Sequence, residues 1–364
     1  MKIDKVLLIW PAIERKIESD RRKFTTIETL RFPLGIGYLA AYLEREMDVE
    51  VTILDMMAEA PEGKTTGDRI RWGMSNNDLR AHIEKTAPAM VGVSQMFSYL
   101  EPMVKRIFNI TKSVDPRIVT VWGGTHPTVA PKECLACSDA DFIVLGEGEK
   151  PLKELIERLN GDQSVRGMKS LGYRGGDGEA VINNERSWIE NLDGHVMPAR
   201  YKVDMGKYKS IYNYFENNTM TNMISSRGCP FSCTFCTAPT FYRKRYKTTS
   251  PSIVVDEMEF LIKEYGIKSF LLQDENISFD MDRIEGIADE IIARKLDIQW
   301  FPEAGTLIAR LNPRLIYKLK ESGVSELRLP VESGNEDVLR RMKKPLKLSK
   351  VEPVVAAARK AGIQ

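Results

Sequence analysis

The segment SSRGCPFSCTFCTAP, residues 225–239, holds three of the five cysteines of this 364-residue chain. Cys229, Cys233 and Cys236 follow a C-x3-C-x2-C spacing, and no fourth cysteine follows them. Three thiolates on one short loop suit three corners of a four-iron cluster. The fourth iron would then lack a protein ligand and be open for chemistry, whereas four cysteines would close the cluster for electron transfer alone.

Other uses of the cysteines fit the sequence less well. A structural zinc site, the main alternative, would need a fourth ligand at short spacing, and His82, His126 and His195 are all distant. An odd cysteine count without a secretory signal indicates a reducing cytosol rather than disulfides. We interpret the remaining pair, Cys134 and Cys137, as helix cysteines with one or both packed in the core.

Composition narrows the functional class. Fifty-three basic and 51 acidic residues give a net charge of +2, which provides no general attraction to nucleic acid. The run FYRKRYK mixes aromatic and basic residues, and we predict a solvated loop there. The longest apolar stretch, FPLGIGYLAAYL, is too short to span a bilayer. No secretory signal is visible, so we expect a cytoplasmic protein.

The first ~160 residues alternate strand and helix patterns, which predicts an α/β domain with a doubly wound, Rossmann-like parallel sheet over residues 1–164. Ligands of such sheets bind beyond the carboxyl ends of the strands. The binding edge should therefore include the loops after Trp10, Phe97, Trp122 and Leu145. The predicted strands are KVLLIW, VEVTILDM, MVGVSQMF, RIVTVWGG and DFIVLGEG, and the predicted helices are GIGYLAAYLERE, NDLRAHIEKTA, EPMVKRIFNITKSV and KPLKELIERL.

A second series of strands and helices follows a connection. Residues 165–215 read as a linker with a hairpin at a Gly-Asp-Gly turn. Residues 216–364 are predicted to form a partial TIM-type (β/α) barrel, with its site at the carboxyl ends of the strands. The four predicted strands are TNMISSRG, IKSFLLQDENIS, IQWFPEAGT and SELRLPVESG.

The cysteine motif CPFSCTFC resembles the signature of radical S-adenosylmethionine (SAM) enzymes, including the aromatic Phe235 before the last cysteine. The resemblance implies a 4Fe-4S cluster whose open iron is chelated by the amino and carboxylate groups of SAM. An electron from the cluster then cleaves SAM to a 5′-deoxyadenosyl radical. Barrels of this family usually have six units, so we expect the last strands to be missing from a barrel truncated in this chain.

The resemblance also assigns residues to SAM. Asp274, Glu275 and Asn276 follow the second barrel strand, where the family places acceptors for the amino group of SAM. The segment PVESG resembles the G-x-E-S-G segment of cobalamin-linked radical SAM proteins. The resemblance implies that Glu332 contacts the ribose hydroxyls of SAM, with Ser333 beside it. Pro330 replaces the usual glycine and alters the backbone there.

Arg328 needs a partner if Glu332 points into the barrel, because period-two alternation sends both side chains inward. A buried arginine requires a carboxylate. Glu303 on the neighbouring strand and the carboxylate of SAM itself are the two possibilities.

The N-terminal domain resembles the cobalamin-binding domain of cobalamin-dependent radical SAM enzymes. Its glycines would let the backbone approach the cofactor closely, and Thr125 and His126 would hydrogen-bond the nucleotide tail. The loop PAIERKIESDRRK lacks the histidine of a D-x-H-x-x-G motif, so the lower face of cobalt is left to water or another side chain. The cofactor-binding residues predicted here are Ser94, Gln95, Gly123, Gly124, Thr125, His126, Gly146, Glu147 and Gly148.

The resemblance implies a methyltransferase that acts on an unactivated carbon of a small-molecule or natural-product-type substrate. It also implies an external electron donor of the flavodoxin or ferredoxin type. One alternative is a cyclisation or rearrangement enzyme. Another is a methylthiotransferase of tRNA or protein, although that family supplies three N-terminal cysteines and this chain has two. An inactive module that binds cobalamin or a cluster is the non-enzymatic alternative. No catalytic side chain stands out.

Overall fold

The fold was obtained as a computed structural model. The residues it describes are 2–17, 30–208, 220–303 and 306–364. Two compact units make up the chain: residues 1–189 with 196–207, and residues 190–195 with 208–364. The predicted domain limits stay predictions. Residues 18–23 of the loop PAIERKIESDRRK and residues 209–215 of the predicted linker lie outside the described residues.

The first unit is organised around a seven-stranded sheet with the order β10-β9-β8-β7-β6-β1-β3, beside a small antiparallel sheet with the order β2-β5-β4. The strands are β1 (Lys5–Trp10), β2 (Ile13–Lys16), β3 (Glu50–Asp55), β4 (Lys64–Thr66), β5 (Arg69–Trp72), β6 (Met90–Ser94), β7 (Val119–Gly123), β8 (Phe142–Val144), β9 (Leu171–Arg174) and β10 (Ala180–Asn183). The helices are α1 (Leu34–Glu46), α2 (Met56–Glu59), α3 (Asn76–Thr86), α4 (Glu101–Val114), α5 (Thr125–Val129), α6 (Pro131–Ala136) and α7 (Glu149–Asn160).

The five parallel strands lie in the order β3-β1-β6-β7-β8, a doubly wound order of the flavodoxin type. Both sheet faces are covered, so Val6, Leu7, Leu8 and Ile9 of β1 are all at most 1% exposed. The five strands and four helices predicted for this domain are confirmed. The order reverses between β1 and β6, and a ligand is expected at the carboxyl ends of the strands at this switch point.

Two further predictions for this unit can be compared with the structure. The hairpin after residue 165 forms as β9 and β10, and it extends the large sheet by pairing antiparallel with β8. Cys134 lies on α6 and is 1% exposed, which confirms a helix cysteine packed in the core, whereas Cys137 follows the helix and is exposed.

The second unit contains a parallel three-stranded sheet with the order β11-β14-β15 and an antiparallel pair, β12 and β13. Its strands are β11 (Met220–Met223), β12 (Ser226–Gly228), β13 (Tyr246–Thr248), β14 (Ser269–Leu272) and β15 (Gln299–Pro302). Its helices are α8 (Ala238–Tyr242), α9 (Pro251–Tyr265), α10 (Met281–Ala293), α11 (Pro313–Glu321), α12 (Glu336–Arg341) and α13 (Val351–Lys360). No helix in the described parts of either unit is long and apolar enough to cross a membrane.

The prediction of a fourth barrel strand at SELRLPVESG is wrong for the described residues. Val324, just before it, forms a parallel bridge with Trp300 of β15, and the Ser325 N–H donates to the Trp300 carbonyl at 3.4 Å, but no strand is assigned over residues 325–334. Pro330 lacks a backbone donor, and Glu332 has a φ of +66°, which breaks an extended path. Beyond β15 the pairing is therefore limited to the bridge at Val324 and does not extend into a fourth strand.

The segment TNMISSRG was predicted as one strand and is two. The break falls between Met223 of β11 and Ser226 of β12. There the Asp274 carboxylate accepts hydrogen bonds from the backbone N–H of Ser225 and Ser226, at 2.6 and 2.8 Å. A side chain takes the donors that a strand ladder would use, so the chain bends before the cysteine loop.

Candidate functional site

The cysteine loop begins at a glycine that no other residue could replace without strain. Gly228 ends β12 with a φ of +93°, and a Cβ there would lie 2.1 Å from the carbonyl oxygen of Arg245. Beyond it the loop turns back on itself, since the Cys236 N–H donates to the Cys233 carbonyl at 3.2 Å. The Ala238 N–H, in the first turn of α8, approaches Cys236 Sγ at 3.4 Å.

The turn that follows α12 holds the loop. The Thr234 N–H donates to the Met342 carbonyl at 3.0 Å, and Cys233 Sγ lies 3.6 Å from the Lys343 carbonyl oxygen. Burial raises the pKa of the Cys233 thiol, while the Lys344 charge acts in the opposite direction. No three thiol, imidazole or carboxylate side chains in the described ranges converge as a single metal ion would require. A four-iron cluster instead needs one thiolate for each of three irons, which this loop offers.

Asp274 and Glu275 were predicted to contact SAM, but both carboxylates accept hydrogen bonds from groups of the protein itself. Asp274 is 0% exposed, and besides its two backbone bonds it accepts one from Ser225 Oγ at 2.6 Å. Glu275 accepts hydrogen bonds from Tyr242 Oη at 2.6 Å and from the Gly228 N–H at 3.1 Å. Burial raises the pKa of both carboxyl groups. These two acids position the start of the cysteine loop.

Asn276 differs from Asp274 and Glu275 because its side-chain oxygen is a buried acceptor that receives no hydrogen bond. Its side-chain Nδ2 lies 3.5 Å from Cys229 Sγ, and the residue is only 5% exposed. Its Oδ1 is buried with no hydrogen-bond partner. A buried acceptor without a donor is costly, which favours a ligand that supplies one. An ammonium group at the open iron would do so, and the site therefore fits SAM.

Glu332 and Ser333 lie in the turn that replaces the predicted fourth strand. Glu332 Oε1 forms an ion pair with Lys344 Nζ at 3.0 Å. Ser333 Oγ accepts a hydrogen bond from the Asn335 N–H at 3.2 Å. Phe235 is half-exposed on the cysteine loop, with Lys344 Nζ 6.0 Å from its ring centroid. The structure thus brings Glu332 and Phe235 to the same cation, Lys344, which no sequence motif had singled out.

A polar network lies at the carboxyl ends of β11, β14 and β15. Gln273 accepts a hydrogen bond from Asn222 Nδ2 and donates one to Glu303, both at 2.8 Å. Glu303 in turn pairs with Arg328 at 3.4 Å, so Glu303 is one carboxylate partner of that arginine, but the Arg328 side chain is 40% exposed rather than buried as expected. Arg328 also contacts Glu326 at 2.7 Å. The sequence analysis did not select Asn222 and Gln273. Their positions at the ends of predicted strands were the one indication that they could belong to a site.

The predicted cofactor edge of the first unit is built around Gln95. This side chain is 0% exposed and accepts a hydrogen bond from Trp122 Nε1 at 2.9 Å while donating to the Phe97 carbonyl at 2.8 Å. Its own carbonyl accepts from the His126 N–H at 3.2 Å. Gln95 therefore ties the loop after β6 to the loop after β7.

His126 is part of the same scaffold. It is 8% exposed, with Nδ1 3.0 Å from Ser98 Oγ and Nε2 3.1 Å from Glu101 Oε2. Both ring nitrogens are thus used within the protein, so a hydrogen bond from the ring to the cofactor would require one of these contacts to break. Thr125 beside it is half-buried.

The remaining predicted residues line the same edge. Gly146 has a φ of +76°, and its N–H donates to Thr128 Oγ1 at 2.9 Å. Glu147 is buried and accepts a hydrogen bond from the Ile189 N–H at 2.9 Å. A Cβ on Gly148 would lie 3.0 Å from Leu39, so this glycine serves helix packing. Ser94 ends β6 and is half-buried.

Sequence reasoning missed an apolar patch at this edge. Met96 and Phe97 are each 50% exposed and Tyr99 is 47% exposed, directly after β6 at the switch point. The Phe97 and Tyr99 rings stack with their centroids 5.6 Å apart. The Arg15 guanidinium lies over the Tyr99 ring, 5.2 Å from its centroid. The only signal was the concentration of large apolar residues in a loop where polar residues are usual.

Gly123 and Gly124 allow a direct test of the edge. Gly124 has a φ of +106°, and a Cβ there would lie 2.4 Å from the Gln95 carbonyl oxygen, whereas a Cβ on Gly123 would meet no protein atom within 4 Å. We expect Gly124→Ala to lower the free energy of unfolding by roughly 1–3 kcal/mol. We expect Gly123→Ala to unfold like the parent chain and to bind cobalamin more weakly. Denaturant titration and corrin absorbance after gel filtration would measure both, and equal cobalamin binding by Gly123→Ala would contradict a cofactor at this edge.

Two family models match the chain. The B12 binding domain matches residues 24–156, and the Radical SAM superfamily matches residues 223–364. The cytidylyl-2-hydroxyethylphosphonate methyltransferase of Streptomyces wedmorensis is 32% identical over 91% of this chain and 67% of its own length. An anaerobic magnesium-protoporphyrin IX monomethyl ester cyclase of Rubrivivax gelatinosus is 27% identical over 90% of this chain and 58% of its own.

A solved structure has the same fold. It is the radical S-adenosylmethionine methyltransferase TsrM from Kitasatospora setae with cobalamin and a [4Fe-4S] cluster bound. Its TM-score is 0.74 at 19% identity, covering all of this chain and 66% of TsrM. The chain thus spans about two thirds or less of the length of these proteins.

Proposed function

The chain belongs to the radical SAM enzymes that carry a B12-binding domain, and we propose that it methylates an unactivated carbon with a 4Fe-4S cluster, SAM and cobalamin as cofactors. The observation that carries the proposal is the buried, unpartnered Oδ1 of Asn276 beside Cys229, on a loop with an open-iron cysteine spacing. The cluster, when bound, would supply the electron that cleaves SAM. Cobalamin, when bound, would supply a carrier for the methyl group.

The protein's own residues have distinct tasks in this proposal. Cys229, Cys233 and Cys236 would each hold one iron. Asn276 Oδ1 would accept a hydrogen bond from the amino group of SAM, which orients the molecule at the open iron. Asp274 keeps the bend before the loop in place, since it satisfies two backbone donors there.

Methylation is favoured over the other reactions of the family by the relative with the highest identity reported above, a methyltransferase. A cyclase is the second candidate, because a cyclase matches over a similar share of the chain. A methylthiotransferase is less favoured, because it would need a second cluster upstream. Burial raises the pKa of Cys134 to about 12, which makes that thiol a poor iron ligand.

The substrate proposed is a small molecule, and the electron donor proposed is a flavodoxin or ferredoxin type protein. We place the reaction in the cytoplasm. Methylation at an unactivated carbon consumes two SAM molecules: one loses its methyl group and leaves as S-adenosylhomocysteine, and the other is cleaved to methionine and deoxyadenosine. The two products should therefore both form.

The proposal is tested by anaerobic reconstitution with iron, sulfide and cobalamin, followed by reduction in the presence of SAM with a deuterated methyl group. We expect deoxyadenosine, S-adenosylhomocysteine and recovery of the label in the corrinoid fraction by mass spectrometry. Deoxyadenosine without labelled corrinoid would favour the cyclase. A chain that forms no deoxyadenosine under strong reductant would be a binding module instead.

A further inference from the structure

Lys344 is a nearly buried cation next to the cysteine loop. It follows α12 in a turn where Lys343 has a φ of +55°, and its side chain is only 12% exposed. Its Nζ lies 3.0 Å from Glu332 Oε1 and 6.0 Å from the ring centroid of Phe235. Phe235 lies between Cys233 and Cys236 in the sequence, so the cation is held against the loop that contains all three proposed ligands.

The main chain of the same turn fixes this position. The Met342 carbonyl accepts the Thr234 N–H, and the Lys343 carbonyl lies 3.6 Å from Cys233 Sγ. Neighbouring Lys343 and Lys347 are exposed. Lys344 is therefore the one side chain of this lysine-rich turn that is both enclosed and paired among the residues described, which separates it from solvated surface lysines.

A fixed cation beside an iron–sulfur site has an electrostatic consequence. Reduction adds one negative charge to a cluster already bound by three thiolates. A positive charge in a partly desolvated place stabilises the added charge more than it would in water. The Glu332 carboxylate, as the negative partner in the same ion pair, opposes this effect.

Resting on the proposed function, we propose that Lys344 is a positioning residue that raises the reduction potential of the cluster, with Glu332 as the counter-charge that limits the rise. The pair sets how readily a low-potential one-electron donor can reduce the cluster. It acts through electrostatics and loop position, without contact to the reacting carbon.

The test is a redox titration of the reconstituted chain without SAM, monitored by electron paramagnetic resonance of the reduced cluster. We expect Lys344→Met to shift the midpoint potential to more negative values at unchanged iron content. Lys344→Arg should stay near the parent value, because it keeps the charge. Glu332→Gln should shift the potential in the positive direction. Lys347→Met, an exposed lysine in the same segment, is the matched control and should not change it.

The outcomes separate this inference from the proposed function. A parent chain that forms no cluster would contradict the proposed function. A parent cluster whose potential is unchanged in both Lys344→Met and Glu332→Gln would overturn the role of Lys344 alone. If Lys344→Met fails to hold iron, Glu332→Gln decides the matter: a positive shift supports the role, and an unchanged potential overturns it.

Discussion

Replacing Cys233 with alanine is expected to abolish both the cluster and SAM cleavage. The parent chain should take up about four iron atoms after reconstitution, because three thiolates suffice to hold a four-iron cluster. Cys233→Ala removes a proposed ligand that is fixed by two contacts, with the Lys343 carbonyl and with the Cys236 N–H. Iron content and the visible absorption band should fall to background, and no deoxyadenosine should form.

Two further variants make that result specific. Cys137→Ala changes an exposed cysteine of the first unit and should leave iron content and SAM cleavage unchanged. Asn276→Ala should retain the iron while weakening SAM binding, because it removes the unpartnered acceptor beside Cys229 but no thiolate. Normal iron content in Cys233→Ala would show that this cysteine is not a ligand. Unchanged SAM affinity in Asn276→Ala would show that Asn276 does not contact SAM.

Much of the first unit could be predicted from the sequence because its buried parallel strands are continuous apolar runs and its helices have clear periodicity. The second unit was harder to predict where side chains override the pattern. Pro330 and the left-handed Glu332 end an apparently strand-like segment. The bend before the cysteine loop depends on Asp274, which is distant in sequence from the residues that it holds.

The roles within the site could be predicted less well than its location. Asp274, Glu275 and Asn276 are consecutive polar residues, and nothing in their order indicates that two serve the loop and one keeps an acceptor free. That distinction depends on which donors reach each side chain in three dimensions. Lys344 belongs to no motif quoted for the family, so only its enclosure by Glu332 and Phe235 singles it out.

The second large effect is expected for Asp274→Ala, which should destabilise the second unit. The carboxylate is 0% exposed and satisfies the N–H groups of Ser225 and Ser226 as well as Ser225 Oγ. Burial raises the pKa of the Asp274 carboxyl while the Arg283 charge acts to lower it, and Asp274→Ala would remove this electrostatic interaction with Arg283. Removing one member of a buried charged network costs roughly 3–5 kcal/mol. Denaturant unfolding should show a loss of that size in Asp274→Ala.

Asp274→Asn separates hydrogen bonding from charge. Its amide oxygen can still accept from the two backbone donors, so we expect a smaller loss than in Asp274→Ala. Asp282→Ala is a suitable control, since that acid lies in the first turn of α10 on the surface. Because Asp274 fixes the bend that delivers Gly228 and Cys229, its loss should also lower iron retention before global unfolding begins. An Asp274→Ala chain with the stability and iron content of the parent would show that β12 and the hairpin with β13 position the cysteine loop without it.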